Sequence, residues 1–382
     1  MRPSRQKIKK IILSGGGTGG SVTPLLAVAR ELITEEARER EIDLNQVQSW
    51  EFVFVGTSNG PEQKLVEAFD HLGQKIKFVT IPAGKFRRYF SWQNLIDIFR
   101  IFQAFFVSYF LLKKEKPDLF FSAGGFVGVP LAWAAYFLNI PIIIHQQDVR
   151  PGLANRLVAP LARLITVTFE KSLKDYGSRA VWTGNPSRQT PEDPGLFLGI
   201  KHKFNLNLNK PLLVITGGGT GSKAINDLAI SSAHKLSAVF QVVHLSGLKK
   251  EINEAKKIID FPADYQVFEF IANEDAFLLL GAADLVVTRC GLATLTELSA
   301  LAKPAILIPM PNSHQEENAA VFAQAKAAVV LNQAKLNSDI FYATIINLLA
   351  DEERRKKLSQ NISRLMKRDA TALIASFIKE IN

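Results

Sequence analysis

Cysteine is almost absent from this chain of 382 residues, which carries only Cys290. A single cysteine excludes a disulfide framework and a zinc site built on several thiolates. It also fits a protein that works in a reducing compartment such as the cytosol. The sequence shows no clear cluster of carboxylates suited to a metal, so it predicts chemistry without a metal ion or other cofactor.

An uninterrupted apolar run of membrane-spanning length is also missing. Residues 119–144 carry no charge and are long enough to span a bilayer. However, Gly124-Gly125, Pro130 and Pro141 divide them into pieces that indicate a strand, a glycine loop, a helix and a strand. Such runs are typical of parallel strands buried on both faces. Near the N-terminus, Ile11–Leu13 is too short for the core of a secretory signal.

Acidic residues are too few to balance the basic ones, and the net charge is +10. Residues 1–186 carry 24 basic and 16 acidic side chains, a balance of +8, and the rest carries 22 and 20, a balance of +2. A basic first half indicates an anionic partner such as a membrane surface or a phosphorylated substrate. No RNA-binding aromatic motif or helix-turn-helix signature is recognisable, so nucleic acid is not expected as the partner.

Strand-like runs that end at a glycine or a polar turn, followed by helical spacing, repeat along the chain. In the first half the runs are Ile8–Leu13, Glu51–Val55, Asp118–Ser122 and Pro141–Ile144, with a first helix over Pro24–Ile33. In the second half they are Leu212–Thr216, Gln241–Leu245, Leu285–Thr288 and Ala305–Ile308, with a helix from about Lys223. This alternation predicts an α/β protein with two Rossmann-like, doubly wound parallel sheets.

The expected division of the chain follows from this restart of the pattern. The joint is expected near Thr183–Pro194, which is rich in proline, glycine and polar residues. We therefore predict an N-terminal domain over 1–186 and a C-terminal domain over 187–350. The charged stretch 351–382 is expected to form helices that pack back on the N-terminal domain.

The sequence Gly-Gly-Gly-Thr-Gly occurs twice, at 15–19 and at 217–221, each time between a strand and a helix. Glycine loops before a helix N-terminus are suited to phosphate groups, although a turn without a ligand is the alternative for each. No acidic residue follows the second strand, where Gly56 to Asn59 stand, which disfavours a nicotinamide-dependent dehydrogenase. Neither loop is followed by Gly-Lys-Ser/Thr, which excludes a P-loop nucleotidase.

The segment Gly15–Pro24 (GGGTGGSVTP) resembles the N-terminal signature of the MurG family of N-acetylglucosaminyltransferases. Further blocks similar to that family follow in its order along almost the whole chain: Val55–Thr57, Gly84–Tyr89, Gly124–Val127, Pro151–Arg156, Gly184–Arg188, Arg289–Glu297 and His314–Asn318. The resemblance implies a GT-B fold, whose two domains face a cleft. It also implies inverting transfer of N-acetylglucosamine from UDP-GlcNAc to lipid I, giving lipid II in peptidoglycan synthesis, at the cytoplasmic face of the cell membrane.

The resemblance also implies roles for individual residues. Contacts with the UDP-sugar are expected from the C-terminal domain: Arg188, Gly219, Ile271, Leu292, Ala293, Thr294, Leu295, Thr296, Glu297 and Gln315. Within this set, the Ile271 backbone is expected at the uracil, Glu297 at the ribose hydroxyls and Gln315 at the transferred sugar. The alternative for Glu297 is a solvated carboxylate near a helix N-terminus. Contacts on the acceptor side are expected from Thr18, Gly19 and Gly20.

This chain departs from the family at the residues that handle protons. Ser21 stands where the family usually has histidine, and His145-Gln146-Gln147-Asp148 stands where it has His-Glu-Gln-Asn. Residues i and i+2 of an extended segment point to the same side. We therefore expect Asp148 to replace the acid missing at Gln146, as general base or as a group that orients the acceptor; a turn-capping role before Pro151 is the alternative.

Two other candidates for proton transfer remain. His145 is a second candidate base, against the alternative of a structural histidine at a strand end. Ser21 is a poor base at its ordinary pKa, which leaves open a non-catalytic homologue that binds UDP-sugar or lipid. A GT-B transferase with another lipid-linked acceptor is a further alternative.

Basic and aromatic residues alternate in Lys85–Trp92 (KFRRYFSW). Such composition is typical of attachment to an anionic membrane surface. The following Phe-rich stretch, Ile98–Leu112, is expected to be a buried core helix instead.

Overall fold

The computed structural model describes residues 9–16, 19–42, 50–58, 60–82, 92–188, 190–191, 193–219, 221–247 and 261–381. The chain forms two compact units. Unit 1 comprises Met1–Ser187 and Lys367–Asn382, and unit 2 comprises Arg188–Met366. The chain passes from unit 1 to unit 2 after Ser187, within the polar stretch where the sequence places the joint. It returns to unit 1 after Met366.

Unit 1 is built on a seven-stranded sheet with the order β5-β2-β1-β6-β7-β8-β9, in which the paired strands are parallel. The strands are β1 Lys9–Ser14, β2 Trp50–Gly56, β5 Lys77–Thr80, β6 Leu119–Ser122, β7 Ile142–Gln146, β8 Leu164–Val167 and β9 Ala180–Trp182; β3 Asp70–His71 and β4 Gln74–Lys75 form a separate hairpin. The helices are α1 Thr23–Ile42, α2 Pro61–Glu67, α3 Trp92–Glu115, α4 Gly128–Phe137 and α5 Leu153–Val158.

The first sheet is covered by helices on both faces. Ile11 and Leu13 of β1 pack into one core cluster with residues of α1, and Ile12 packs into another with residues of α4. Successive side chains of a strand point to opposite faces, so the continuous apolar run of β1 fits a sheet that is buried on both sides. The uncharged stretch 119–144 forms β6, α4 and β7, as predicted.

Unit 2 repeats this architecture with six parallel strands in the order β12-β11-β10-β13-β14-β15. The strands are β10 Leu212–Thr216, β11 Gln241–Leu245, β12 Tyr265–Phe268, β13 Leu285–Thr288, β14 Ala305–Leu307 and β15 Val329–Val330. The helices are α6 Gly195–Lys203, α7 Lys223–Ser231, α8 Ala233–Ser237, α9 Asn273–Ala282, α10 Leu292–Ala300, α11 Gln315–Gln324, α12 Ser338–Ala350 and α13 Glu352–Leu365. The predicted class, two doubly wound parallel sheets, is confirmed.

The charged C-terminal stretch is shared between the units, which differs from the expectation that all of 351–382 packs on the N-terminal domain. Helix α13 belongs to unit 2, where Leu358 joins the core that includes Phe341 of α12. The last helix, α14 Ala370–Glu380, belongs to unit 1, where Ile374 and Ile378 join the core beneath β1. Each of these two helices belongs to the unit whose core contains its apolar side chains.

Helix α3 corrects a second expectation, that Ile98–Leu112 is a buried core helix. One face is buried, including Ala104, Ser108 and Leu112. The other face exposes Phe102, Phe106 and Phe110, each by more than half. Within the described residues, no helix combines the length and apolarity needed to cross a membrane.

Candidate active site

Each sheet changes direction next to its first strand. In unit 1 the chain proceeds from β1 outward through β2 to β5, then returns to β6 on the other side of β1. In unit 2 the same reversal lies between β10 and β13. Ligands of open α/β sheets bind at such switch points, beyond the carboxyl ends of the strands, and both glycine loops begin there.

The described residues of the first glycine loop, between β1 and α1, pack closely against one another. A side chain at Gly15 would collide with the carbonyl of Ser21, so glycine is required there. Gly19, Gly20 and Ser21 form a 3-10 turn. The carbonyl of Gly20 accepts a hydrogen bond from Gln147 Nε2 at 2.8 Å, which ties this turn to the segment after β7. Of the expected acceptor contacts, Gly19 and Gly20 therefore lie in this turn, and Thr18 lies outside the described residues.

A second loop, Gly124-Gly125 after β6, packs on the first loop backbone to backbone. Both glycines have positive φ, +93° and +91°. A Cβ on Gly125 would lie 2.7 Å from the nitrogen and 2.8 Å from the oxygen of Gly16. Helix α4 begins three residues later without a side-chain cap, so its first amide groups are oriented toward this end of the sheet.

We expect Gly125→Ala to lower the free energy of unfolding of unit 1 by about 2 to 4 kcal/mol, because it combines a disfavoured φ with a backbone collision. Urea unfolding followed by circular dichroism measures the change. Gly152→Ala is the matched control, since Gly152 has φ −66° and nothing within 4 Å of a new Cβ. Equal unfolding midpoints for the two variants would contradict the close packing of the two loops.

Ser21, one of the catalytic candidates, is buried in this loop, and its catalytic role stays a prediction. It is 7% exposed, and its hydroxyl donates to the Gly16 carbonyl at 3.4 Å. The hydroxyl is thus turned into the loop that it closes. A buried hydroxyl at this place stabilises the loop and is poorly placed to take a proton from an acceptor.

His145, the second candidate base, is enclosed in a similar way, and its catalytic role also stays a prediction. The ring is fully buried on β7, with Nδ1 2.9 Å from Thr166 Oγ1 and Nε2 2.9 Å from Asn185 Oδ1. Burial lowers the pKa of His145 from 6.5 to about 4, although the hydrogen bond with Asn185 opposes the shift. The neutral ring therefore links β7 to β8 and to the segment after β9.

Gln146 is the centre of a saturated hydrogen-bond network. Its Nε2 donates to the carbonyls of Asp148 and Arg150 at 2.8 and 3.0 Å. Its Oε1 accepts from Asn155 Nδ2 at 2.6 Å and from the Tyr176 hydroxyl at 2.9 Å. The side chain uses both amide hydrogens and both oxygen lone pairs, so it fixes the backbone on which Asp148 stands.

Asp148 lies in a different environment from Gln146. Strand β7 ends at Gln146, and the chain bends over 148–150. The rule for i and i+2 applies to extended chain, so it fails here: Gln146 is buried and Asp148 is half-buried. Of the three catalytic candidates, Asp148 alone has a side chain open to solvent.

The second glycine loop follows β10, and Gly219 lies in its turn. Gly218 and Gly221 have positive φ, and a side chain at Gly221 would collide with the carbonyl of Ser246 at the end of β11. That carbonyl also accepts from Asn226 Nδ2 of α7 at 3.1 Å. The loop is therefore held against the neighbouring strand.

Helix α10 begins at Leu292, directly after β13 and its turn. Gly291 is the N-cap and supplies no side-chain cap, so the first amide groups of a nine-residue helix are available to an anion. Of the six α10 residues expected to contact the donor, three are buried in the unit: Leu292, Leu295 and Thr296. Only Ala293, Thr294 and Glu297 present partly exposed side chains.

Glu297 is the titratable group of this site. Burial raises the pKa of its carboxyl from 4.5 to about 7, and the positive charge of Arg188 opposes the rise. The carboxyl is thus poised to change its charge near neutral pH. A carboxyl with a strongly shifted pKa at a switch point is a candidate binding residue.

Gln315, the first residue of α11, is oriented by two backbone donors. Its Oε1 accepts from Cys290 N at 3.2 Å and from Met310 N at 3.1 Å. Asn318 Nδ2 donates to the Cys290 carbonyl at 3.3 Å. Side chains of α11 thus bind both the N–H and the carbonyl of Cys290, in the turn before α10. With its oxygen occupied, Gln315 offers a ligand only its Nε2 hydrogens.

Ile271, the expected uracil contact, is partly exposed between β12 and α9. Among the described residues no group of three or more His, Cys, Asp or Glu side chains is arranged to hold a metal ion. Chemistry without a metal stays a prediction.

Sequence reasoning missed a buried acid beside the first glycine loop. Glu62, in the first turn of α2, is fully buried and lies against Gly16. An acidic residue in a first turn is ordinarily solvated and favoured by the helix dipole. The sequence marked Glu62 only by its position, five residues after Thr57, which is the last residue of the block Val55–Thr57.

Comparison with known proteins identifies the family. The models of the N-terminal and C-terminal domains of glycosyltransferase family 28 match residues 11–167 and 212–374. A Clostridium botulinum UDP-N-acetylglucosamine–N-acetylmuramyl-(pentapeptide) pyrophosphoryl-undecaprenol N-acetylglucosamine transferase is 35% identical, with 98% of this chain and 99% of that protein covered. The transferase of the same name from Treponema denticola is 34% identical, with 97% of each covered.

A solved structure shows the same fold. Acinetobacter baumannii MurG superposes with a TM-score of 0.70 at 24% identity, over 97% of this chain and 99% of that one. The two parallel sheets described above are thus those of the GT-B fold. By its two matching domain models and its full-length relatives, the chain belongs to glycosyltransferase family 28 and, within it, to the MurG family.

Proposed function

We propose that this protein transfers N-acetylglucosamine from UDP-GlcNAc to lipid I, giving lipid II. The transferases that match it over nearly its whole length are named for that donor and for an undecaprenol-linked acceptor. The observation that carries the proposal is the arrangement in unit 2, where α10 starts without a side-chain cap, carries Glu297 and follows a turn that Gln315 braces.

Donor binding follows from the chemistry of these groups. The first amides of α10 and the helix dipole stabilise the diphosphate, and Glu297 accepts hydrogen bonds from the ribose hydroxyls. Gln315 donates from Nε2 to an oxygen of the sugar. Arg188, Gly219 and the Ile271 backbone complete the donor contacts.

Transfer with inversion needs a proton acceptor and a stabilised leaving group. The acceptor hydroxyl attacks the anomeric carbon, a new carbon–oxygen bond forms, and the bond to the UDP oxygen breaks. Asp148 takes the hydroxyl proton, and the α10 amides stabilise the charge that develops on the diphosphate. Gln146 contributes by holding the backbone at Asp148.

The acceptor's pyrophosphate is anionic, and unit 1 offers amide groups to it. They come from the Gly19–Ser21 turn and from the start of α4, which has no acidic residue in its first turn. Both lie at the switch point of the first sheet, where helix N-termini stabilise phosphate groups.

A lipid-linked acceptor places the reaction at a membrane, so we assign a membrane-contacting surface to unit 1 on the cytoplasmic face. Aromatic side chains of α3 and α4 form it: Phe102, Phe106, Phe110, Trp133, Tyr136 and Phe137, exposed by 40% to 65%. Phe105 joins the two helices by edge contacts with Phe106 and Phe137. The exposed Lys113 and Lys114 lie in the last turn of α3, and their positive charge suits anionic lipid.

The basic and aromatic segment expected to bind membranes, Lys85–Trp92, lies outside the described residues except for the Trp92 backbone, and its role stays a prediction.

Replacing Phe102, Phe106 and Phe110 together by serine is expected to reduce binding to vesicles of phosphatidylglycerol and phosphatidylcholine at least about tenfold, because three apolar side chains no longer enter the interface. Flotation measures the bound fraction. The control replaces Leu196 and Leu198 by serine. These two leucines belong to unit 2 and are exposed by 45% and 49%. If both variants bind vesicles like the wild type, α3 is not the membrane surface.

The proposed function is tested by UDP release from UDP-GlcNAc with and without lipid I, with lipid II detected by mass spectrometry. Release that depends on lipid I, together with lipid II, supports the proposal. UDP binding without turnover would overturn it in favour of a non-catalytic UDP-sugar-binding homologue.

A further inference from the structure

We propose that Glu62 is a positioning residue that holds the first glycine loop in the shape needed for the acceptor reaction. This inference rests on the proposed function. Glu62 is the second residue of α2, and its side chain turns back beneath the loops at the carboxyl ends of β1 and β2. It lies at the switch point of unit 1, where the acceptor is expected.

The carboxylate fixes the turn after β2 with two short hydrogen bonds. Its Oε1 accepts from Thr57 N at 2.9 Å and from Thr57 Oγ1 at 2.6 Å. Both donors belong to the first residue after the strand. The turn between β2 and α2 is therefore pinned from inside the protein.

Glycines on three segments make room for this side chain. A Cβ on Gly56 would lie 2.9 Å from Glu62 Cγ, and a Cβ on Gly60 would collide with the carboxyl group. On the first glycine loop, a Cβ on Gly16 would lie 3.4 Å from Oε1. The backbone thus closes around the carboxylate, which fills the space beside the loop.

The buried charge has little compensation. Glu62 is 0% exposed and forms no ion pair among the described residues, and its Oε2 is buried there without a hydrogen-bond partner. A carboxylate oxygen that is buried without a hydrogen-bond partner destabilises the folded protein. A group kept at such a cost next to a ligand loop points to function, because proteins break local rules mainly at functional sites.

Displacement of Glu62 is transmitted to the loop through Gly16. Gly16 is in contact with Gly125 on one side and accepts the Ser21 hydroxyl on another, so it has little freedom to adjust. Loss of the carboxylate removes the third support. We therefore expect the Gly19–Ser21 turn to shift or loosen, with the consequence confined to the acceptor side.

The experiment compares Glu62→Ala, Glu62→Gln and Thr57→Val with Glu36→Ala. Glu36 is a matched control, because it is a carboxylate on α1 that is 2% exposed and accepts from Trp50 N, at the opposite end of β2. For each variant we would measure kcat and KM for lipid I, Kd for UDP, Tm, and amide hydrogen exchange at Gly15, Gly16 and Gly19–Ser21.

Glu62→Ala is expected to lower kcat/KM for lipid I about 100-fold, as a misplaced group does, and to leave the Kd for UDP unchanged. Glu62→Gln keeps an oxygen for Thr57 and should recover activity to within about tenfold of the wild type, whereas Thr57→Val should lose about fivefold. Glu36→Ala should lower Tm without a comparable loss of kcat/KM. Faster exchange of the loop amides should appear only in the Glu62 and Thr57 variants.

Three results would overturn the inference. They are equal losses of activity in Glu62→Ala and Glu36→Ala, a glutamine variant no better than the alanine variant, or an equal weakening of UDP binding. If the wild type shows no transfer, the proposed function fails, and amide exchange still decides on Glu62. Loop amides that exchange no faster in Glu62→Ala than in Glu36→Ala refute the positioning role.

Discussion

Asp148→Asn is expected to lower kcat for sugar transfer by about 100- to 10,000-fold, the range that a general base contributes. The Kd for UDP should stay unchanged, because Asp148 stands on unit 1 and the donor contacts stand on unit 2. Asparagine keeps the size of the side chain and its turn-forming capacity but cannot accept the proton.

The burial of the other two catalytic candidates is the reason for testing Asp148 first. His145 is enclosed between β7, β8 and the segment that carries Asn185, and Ser21 is turned toward Gly16. A general base must lie within hydrogen-bond reach of the proton that it removes. Of the three candidates, the half-buried Asp148, whose carbonyl accepts a hydrogen bond from Gln146, has the side chain that solvent reaches.

Single-turnover kinetics at saturating UDP-GlcNAc measure this step directly. Asp70→Asn, an exposed carboxylate on the β3–β4 hairpin, is the control and should transfer like the wild type. Undiminished transfer by Asp148→Asn would leave Asp148 with the role of capping the turn before Pro151. The proton would then have to leave by another route.

The alternation of strands and helices, and with it the class of the two sheets, could be predicted from the sequence, because local signals suffice for them. The apolar runs end at a glycine or a polar turn and alternate with helical spacing, which is typical of parallel sheets. Helix α3 shows where such signals fail. Its buried face carries the small residues Ala104 and Ser108, and its exposed face carries Phe102 and Phe106, so hydrophobicity alone assigns the two faces in reverse.

The chemistry of the site was harder to predict, since it depends on contacts between distant segments. The partner of His145 at Nε2 is Asn185, forty positions away, and Gln147 reaches Gly20 across 127 positions. Residue types at a strand end do not reveal such partners. In contrast, the donor residues expected near α10 follow one another in the sequence, so the family pattern names Glu297 without any long-range partner, and its contact with the ribose stays a prediction.

Binding of UDP is expected to weaken about tenfold between pH 8 and pH 6, and Glu297→Ala is expected to raise the Kd at pH 8 by about 100-fold. The raised pKa of Glu297, about 7, means that much of the free protein carries a neutral carboxyl below that pH. Ribose hydroxyls donate more strongly to a carboxylate. UDP therefore binds the ionised form, lowers the pKa of Glu297 and releases a proton.

The sign of the effect on folding is opposite to that on binding. The pKa of Glu297 in the folded protein lies above its ordinary 4.5, so the neutral form is favoured by folding. This contribution to stability is complete below pH 4.5 and is lost as the pH rises through 7. Glu297→Gln, which stays neutral, should therefore stabilise the UDP-free protein at pH 8 while weakening its binding of UDP.

Titration calorimetry in buffers with different ionisation enthalpies measures both the Kd and the number of protons released. In Glu297→Gln the proton release near pH 7 and the pH dependence of Kd should disappear together. Glu274→Gln is the control, an exposed carboxyl in the first turn of α9 within the same unit. A variant at 297 that binds UDP as tightly as the wild type, with the same pH dependence, would show that the ribose contact lies elsewhere. A pH dependence that persists while affinity falls would instead place the titrating group outside residue 297.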